Sequence, residues 1–128
     1  MIIIKDIPRT ISMNKYRNSH YHTLNRLKQE FNWLFLEALQ NSGYKKEPID
    51  TPIKITFIFN YKNKRCLRDI DGNYPSCKFA IDAMVDLGLI PDDNPDYVKE
   101  ITFKHGDMKD NSFDMEIKKY LHSENDGV

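Results

Sequence analysis

Cysteine, glycine and long apolar runs are all scarce in this chain, and each scarcity excludes a class of protein. No stretch reaches the roughly 18 uncharged apolar residues that a membrane-spanning helix needs. The opening Met1-Ile2-Ile3-Ile4-Lys5 is too short for the core of a signal peptide. The two cysteines, Cys66 and Cys77, are therefore expected as free thiols in a reducing, cytosolic compartment rather than as a disulfide. With five glycines, no Gly/Ser-rich linker, no repeat and no low-complexity run, nothing divides the chain. One domain over residues 1–121 with a flexible tail over 122–128 is expected. Net charge is absent too, since 19 Lys and Arg balance 19 Asp and Glu.

That balance conceals an asymmetry. Residues 1–68 carry 13 basic and 5 acidic side chains, a net +8, whereas residues 69–128 carry 6 and 14, a net −8. Such a split points to contact with nucleic acid or a membrane surface. The apolar content suffices for a core. Ile, Leu, Val and Phe supply 33 of 128 residues, above the level at which disorder is the default, and a chain of this length buries about two-thirds of its unfolded surface.

Ile2-Ile3-Ile4, β-branched and bounded by Pro8, reads as a short strand, and residues 8–19 read as an irregular basic loop. Over residues 20–41 Leu24, Leu27, Phe31, Leu34, Phe35, Ala38 and Leu39 recur at helical spacing, with Gly43 as the stop. Trp33 and Phe35 on that helix suit either the core or a dimer contact, and the core is the expected home of each. Ile53, Ile55, Phe57 and Phe59 alternate with polar residues as one buried face of a strand. Pro75 suits a first helical turn, Cys77, Ile81, Met84 and Val85 form the apolar stripe, and Gly88 ends it. Pro91-Asp92-Asp93-Asn94-Pro95-Asp96 is a turn. Two alternating segments follow, residues 97–104 and Phe113, Met115 and Ile117, with Gly106-Asp107-Met108-Lys109-Asp110 expected as a hairpin loop. The order β-α-β-α-β-β predicts an α+β fold of two helices on a mixed or antiparallel sheet.

Between positions 69 and 96 stand seven acids, all Asp: Asp69, Asp71, Asp82, Asp86, Asp92, Asp93 and Asp96. Asp69 and Asp71 are two apart at a strand end, so extended backbone puts both carboxylates on one face, able to share a hard cation. The alternative is a solvated turn, since Asp and Asn are turn formers. An EF-hand is excluded, because Tyr74 stands where the loop needs Gly and Ala80 where it needs Glu. Zinc is excluded by the scatter of His20, His22, His105 and His122; His20 and His22 read as helix-start residues. Lys78 lies one turn before Asp82, which fits either an ordinary helix-surface pair or a cation facing a scissile phosphate. Arg9, Lys15 and Arg17 with Tyr16, and Lys62, Lys64, Arg65 and Arg68, are candidate contacts to a phosphate backbone. The second run leads straight into the Asp pair, the arrangement a metal-dependent nuclease requires.

Three segments resemble, in order, the RusA family of Holliday-junction resolvases. They are Arg68-Asp69-Ile70-Asp71-Gly72-Asn73, Lys78-Phe79-Ala80-Ile81-Asp82-Ala83-Met84 and Gly88-Leu89-Ile90-Pro91-Asp92-Asp93. Pro8, Ser12, Asn14 and Tyr16 are similar to the family's N-terminal loop, which adds Asn14 to the DNA contacts. The resemblance implies a homodimeric endonuclease that depends on Mg²⁺, with Mn²⁺ as a substitute. It would resolve four-way DNA junctions by paired symmetric nicks, water attacking the phosphodiester, in recombination and repair. It further implies that Asp69, Asp71 and Asp93, with Asp92, hold the metal, and that Lys78 is catalytic beside them. Asp82 also stands in a matching position. A cytoplasmic location with no membrane partner follows, and the longer step from Asp71 to Lys78 is similar to phage-type relatives, so a phage or prophage source is compatible. The competing expectations are a nuclease for other branched or duplex DNA and a non-catalytic DNA-binding protein.

Overall fold

Ile53, Ile55, Phe57 and Phe59, at most 2% exposed, give β2 (Ile53–Tyr61) one wholly buried face, and β2 is one of the two inner strands of the sheet. In this computed structural model, which describes residues 1–10, 13–66 and 70–120 and omits the side chains of 13–14, 66 and 70–71, the elements run in order as follows. They are β1 (Ile2–Pro8), α1 (Met13–Asn18), α2 (Tyr21–Asn41), β2, the 3₁₀ turns Lys64–Cys66 and Ile70–Asn73, α3 (Tyr74–Asp86), β3 (Val98–Met108) and β4 (Ser112–Lys119). The sheet order is β1-β4-β2-β3. β2 is parallel to β3 and antiparallel to β4, which is antiparallel to β1. The α+β class and the mixed sheet are as the sequence predicts.

The register sets Ile55, Phe57 and Phe59 opposite Ile117, Met115 and Phe113, so one sheet face is almost wholly apolar. The helices cover that face. Phe31 of α2 stacks on Phe113, with ring centres 6.4 Å apart, and meets Phe79 of α3 edge-on at 5.9 Å. β1 joins through a bulge between Ile4 and Ile7, where Asp6 takes φ +59° and lets two isoleucines three residues apart both face the core. His20 caps α2, its Nδ1 accepting the His22 N–H.

Four expectations are corrected. The loop at 8–19 holds a helix, α1, so the layer has three helices. Trp33 is 74% exposed, whereas Phe35 is fully buried: position 33 falls outside the stripe that Phe31, Phe35, Ala38 and Leu39 define. Gly106, Asp107 and Met108 belong to β3 and not to a loop. β3 and β4 are not a hairpin, because β2 lies between them. The short link 109–111 crosses the end of β2, held by the Lys109 N–H to the Tyr61 carbonyl and by Asn111 Oδ1 accepting the Lys62 N–H, each at 2.9 Å. The alternation of β3 and β4 suits either pairing; with β2 between them both of its edges find backbone partners. The tail at 122–128 lies outside the described residues. Among those residues no helix is long and apolar enough to cross a membrane.

Candidate functional site

Along α3, Cys77, Ala80, Ala83 and Met84 are buried, which leaves Lys78, Asp82 and Asp86, four apart, along the opposite, more open side. Gly88, at φ +77°, ends the helix with its N–H on the Val85 carbonyl, while the Leu89 N–H reaches Met84. Leu89 and Ile90 turn into the core, and the chain emerges as the acidic turn.

That turn is tied by its own side chains. Asp92 Oδ1 accepts the Asp93 N–H at 2.7 Å, Asp92 Oδ2 accepts the Asn94 amide at 3.1 Å, and Asn94 Oδ1 accepts the Asp96 N–H at 2.9 Å. The Asp93 N–H, then the Asp93 side chain and the Asn94 amide, hold the Asp92 carboxyl below the usual carboxylate range. Both Asp92 oxygens are thus engaged, and Asp93 stands exposed beside them.

A cleft of about 410 Å³ joins these pieces, lined by Lys78, Asp82, Asp86, Asp92 and Asp93 with Asn25, Lys28 and Gln29 of α2. Lys28 Nζ lies 2.7 Å from Asp82 Oδ2, and Lys78 Nζ lies 3.8 Å from the same oxygen. The bond to Asp82, outweighing partial burial, raises the Lys28 ammonium above its ordinary range. Asn32 donates to Asp86 at 3.0 Å on the same seam. Four carboxylates face two ammonium groups, a balance that suits a cation better than a bare anion.

Lys78, Asp82, Asp92 and Asp93 are therefore brought together. Arg68 and Asp69 lie outside the described residues, as do the side chains of Asp71 and Asn14. The 3₁₀ turn Ile70–Asn73, which carries Asp71, runs directly into α3. For Mg²⁺ the donor chemistry of the cleft fits: its acids are all aspartates, with no thiol or imidazole, and Asp93 is open to solvent. Among the described residues no three His, Cys, Asp or Glu side chains form a metal-binding group.

Lys15 and Arg17 are exposed on α1, which packs on the Ile70–Asn73 turn and on α3, and Lys62, Lys64 and Arg65 are exposed beyond β2. Tyr16 is half-buried, edge-on to Phe79 at 6.3 Å. Arg9 turns inward, donating to the Asn60 carbonyl with its guanidinium 5.8 Å from the centre of the Phe59 ring. Cys77 is a free thiol, and burial pushes its pKa up, so it is a poor nucleophile. A larger hollow of about 530 Å³ lies between β1 and α2. Two of its polar groups are already used, Tyr44 Oη accepting the Ile3 N–H and Ser42 Oγ the Lys5 N–H.

Sequence reasoning missed Lys28, Asn25 and Gln29. Their three-and-four spacing on the polar side of α2 is a detectable signal, but nothing local ties it to Asp82. No protein-family model and no curated protein matches this chain.

Proposed function

We propose that the chain is a Mg²⁺-dependent endonuclease of the RusA type that resolves four-way DNA junctions as a homodimer. The observation that carries the reading is the meeting of Lys78 with the Asp92–Asp93 turn in one cleft, at the helix that follows Asp69 and Asp71. Asp93, Asp69 and Asp71, with Asp92, would hold the ion, which when bound offsets the repulsion between these carboxylates and a phosphodiester. Asp92 keeps the turn rigid and so fixes where the Asp93 carboxylate sits. Lys78 presents its ammonium to the phosphoryl oxygens as charge develops on them. Lys15, Arg17, Lys62, Lys64 and Arg65, with Arg68, grip the flanking backbone.

Purified protein with Mg²⁺ and a mobile synthetic four-way junction tests the reading. Paired nicks by the wild type, lost in Asp93→Asn and in Lys78→Met, are expected. Equal cutting by wild type and both variants, or no cutting by any of them, overturns it. Flap and duplex substrates in the same assay separate junction resolution from a nuclease of other specificity.

A further inference from the structure

β3 is an outer strand of 11 residues, and only Val98 in it is buried. Among the described residues its second edge pairs with nothing, so a row of backbone donors and acceptors is open to another chain. Its two faces differ. Ile101, Phe103 and His105 align with Ile55, Phe57 and Phe59 on the helix side of the sheet, while Glu100, Thr102 and Lys104 align with Lys54, Thr56 and Ile58 on the other. The helix layer does not fully cover β3: Ile101 is 40% exposed, and Phe103 extends the aromatic layer outward from Phe57, its ring centre 5.9 Å away.

We propose that β3 is the surface through which two copies of this chain associate, paired antiparallel about a two-fold axis at Thr102. The occupant is a second copy because β3 is complementary to itself in that register. Glu100 falls opposite the partner's Lys104 and Lys104 opposite the partner's Glu100, two charge pairs on one face. On the other face Ile101 meets the partner's Phe103 twice. Moving the axis to Ile101 or Phe103 sets Lys104 and Glu100 against uncharged residues and loses both pairs; about Phe103 Lys99 would face Asp107, but the ladder of β3 is irregular between His105 and Met108 and does not hold Asp107 in that register. An isologous contact of this kind closes at two copies. The axis is perpendicular to the sheet, so both helix layers, each with its cleft, stand on one side of a continuous eight-stranded sheet.

The inference deepens the homodimer in the proposed nuclease, and its test is read without DNA or metal. Sedimentation at micromolar concentration is expected to show a wild-type dimer. Glu100→Lys and Lys104→Glu, each of which sets like charges across the axis, are expected to weaken it roughly tenfold. The double exchange Glu100→Lys with Lys104→Glu restores the pairs and the dimer. Thr102→Cys, in a Cys66→Ser background, is expected to form an intersubunit disulfide on oxidation, because residues facing on the axis lie within about 5.5 Å. A monomeric wild type overturns the inference. So does a dimer indifferent to both charge reversals that leaves Thr102→Cys uncrosslinked, which would place the contact elsewhere, as on the Trp33 face of α2. A dimer that cuts no DNA overturns the nuclease reading alone, and a monomer that cuts junctions overturns this inference alone.

Discussion

Lys28 Nζ and Asp82 Oδ2 stand 2.7 Å apart and tie α2 to α3 at the cleft, while Lys78, one helical turn from Asp82, is held off at 3.8 Å. Lys28 thus occupies the carboxylate that would otherwise take Lys78 as its neighbour on the helix.

Lys28→Met is expected to cost about 0.5 kcal/mol in urea unfolding and to let Asp82 draw Lys78 in. Labelling of Lys78 by an amine-reactive reagent, read by mass spectrometry, should then slow severalfold, and Asp82→Asn in the same chain should restore it. The pH dependence has a definite sign. The folded pKa of Lys28 lies above the ordinary 10.5, so the pair contributes fully below that value and is lost only as pH rises through the folded one. The stability gap between wild type and Lys28→Met should be flat across neutral pH and close as pH rises into strong alkali.

Asn60, 2% exposed, organises the crossing of β2 by the chain. Its Oδ1 accepts the Asp107 N–H at 3.1 Å and its Nδ2 donates to Ser112 Oγ at 3.4 Å. Gly106 packs directly on it: a Cβ there would overlap Asn60 Oδ1 and lie 2.9 Å from Ile58 Cγ2. Gly106→Ala is expected to destabilise by about 2 kcal/mol. Asn60→Leu, which leaves buried partners unmatched, should cost about 1–3 kcal/mol. Equilibrium urea unfolding checks both.

Phe113 is the centre of the aromatic core, with Phe59, Phe57 and Phe31 at 5.4, 6.1 and 6.4 Å. Phe113→Ala is expected to cost about 3–5 kcal/mol, a large part of the stability of a small domain. A large fall in Tm, or failure to fold at 37 °C, is the expected outcome.

Arg9 and Arg17 should behave differently. Arg9 donates to the Asn60 carbonyl, so Arg9→Ala is expected to lower stability by about 1 kcal/mol or more. Arg17, exposed on α1, should leave stability unchanged when replaced by Ala and, under the proposed function, reduce the salt dependence of DNA binding by about one phosphate contact. Denaturation and a salt titration of binding separate the two.

Much of the architecture is legible locally. The Leu24-to-Leu39 spacing defines α2, the Ile53-to-Phe59 alternation defines β2, and Pro91–Asp96 cannot continue either period. In the cleft, Lys78 and Asp82 are one turn apart on any helix, so their proximity was readable, whereas Lys28 was not. Its partner lies on another element, and a lysine on a polar helix face looks the same whether it meets a carboxylate or water. Trp33 shows the converse failure: an aromatic residue near an apolar stripe reads as core until helix packing decides which side is covered.

The sequence by itself determined α2, β2 and α3, the acidic turn and the basic-to-acidic division, because periodicity, turn chemistry and charge are properties of neighbouring residues. Only the tertiary structure decided that β2 lies between β3 and β4, that Arg9 turns inward and that Lys28 meets Asp82. These depend on contacts between elements far apart in the chain, and strands with similar apolar alternation can pair in more than one order until the packing of the whole domain selects one.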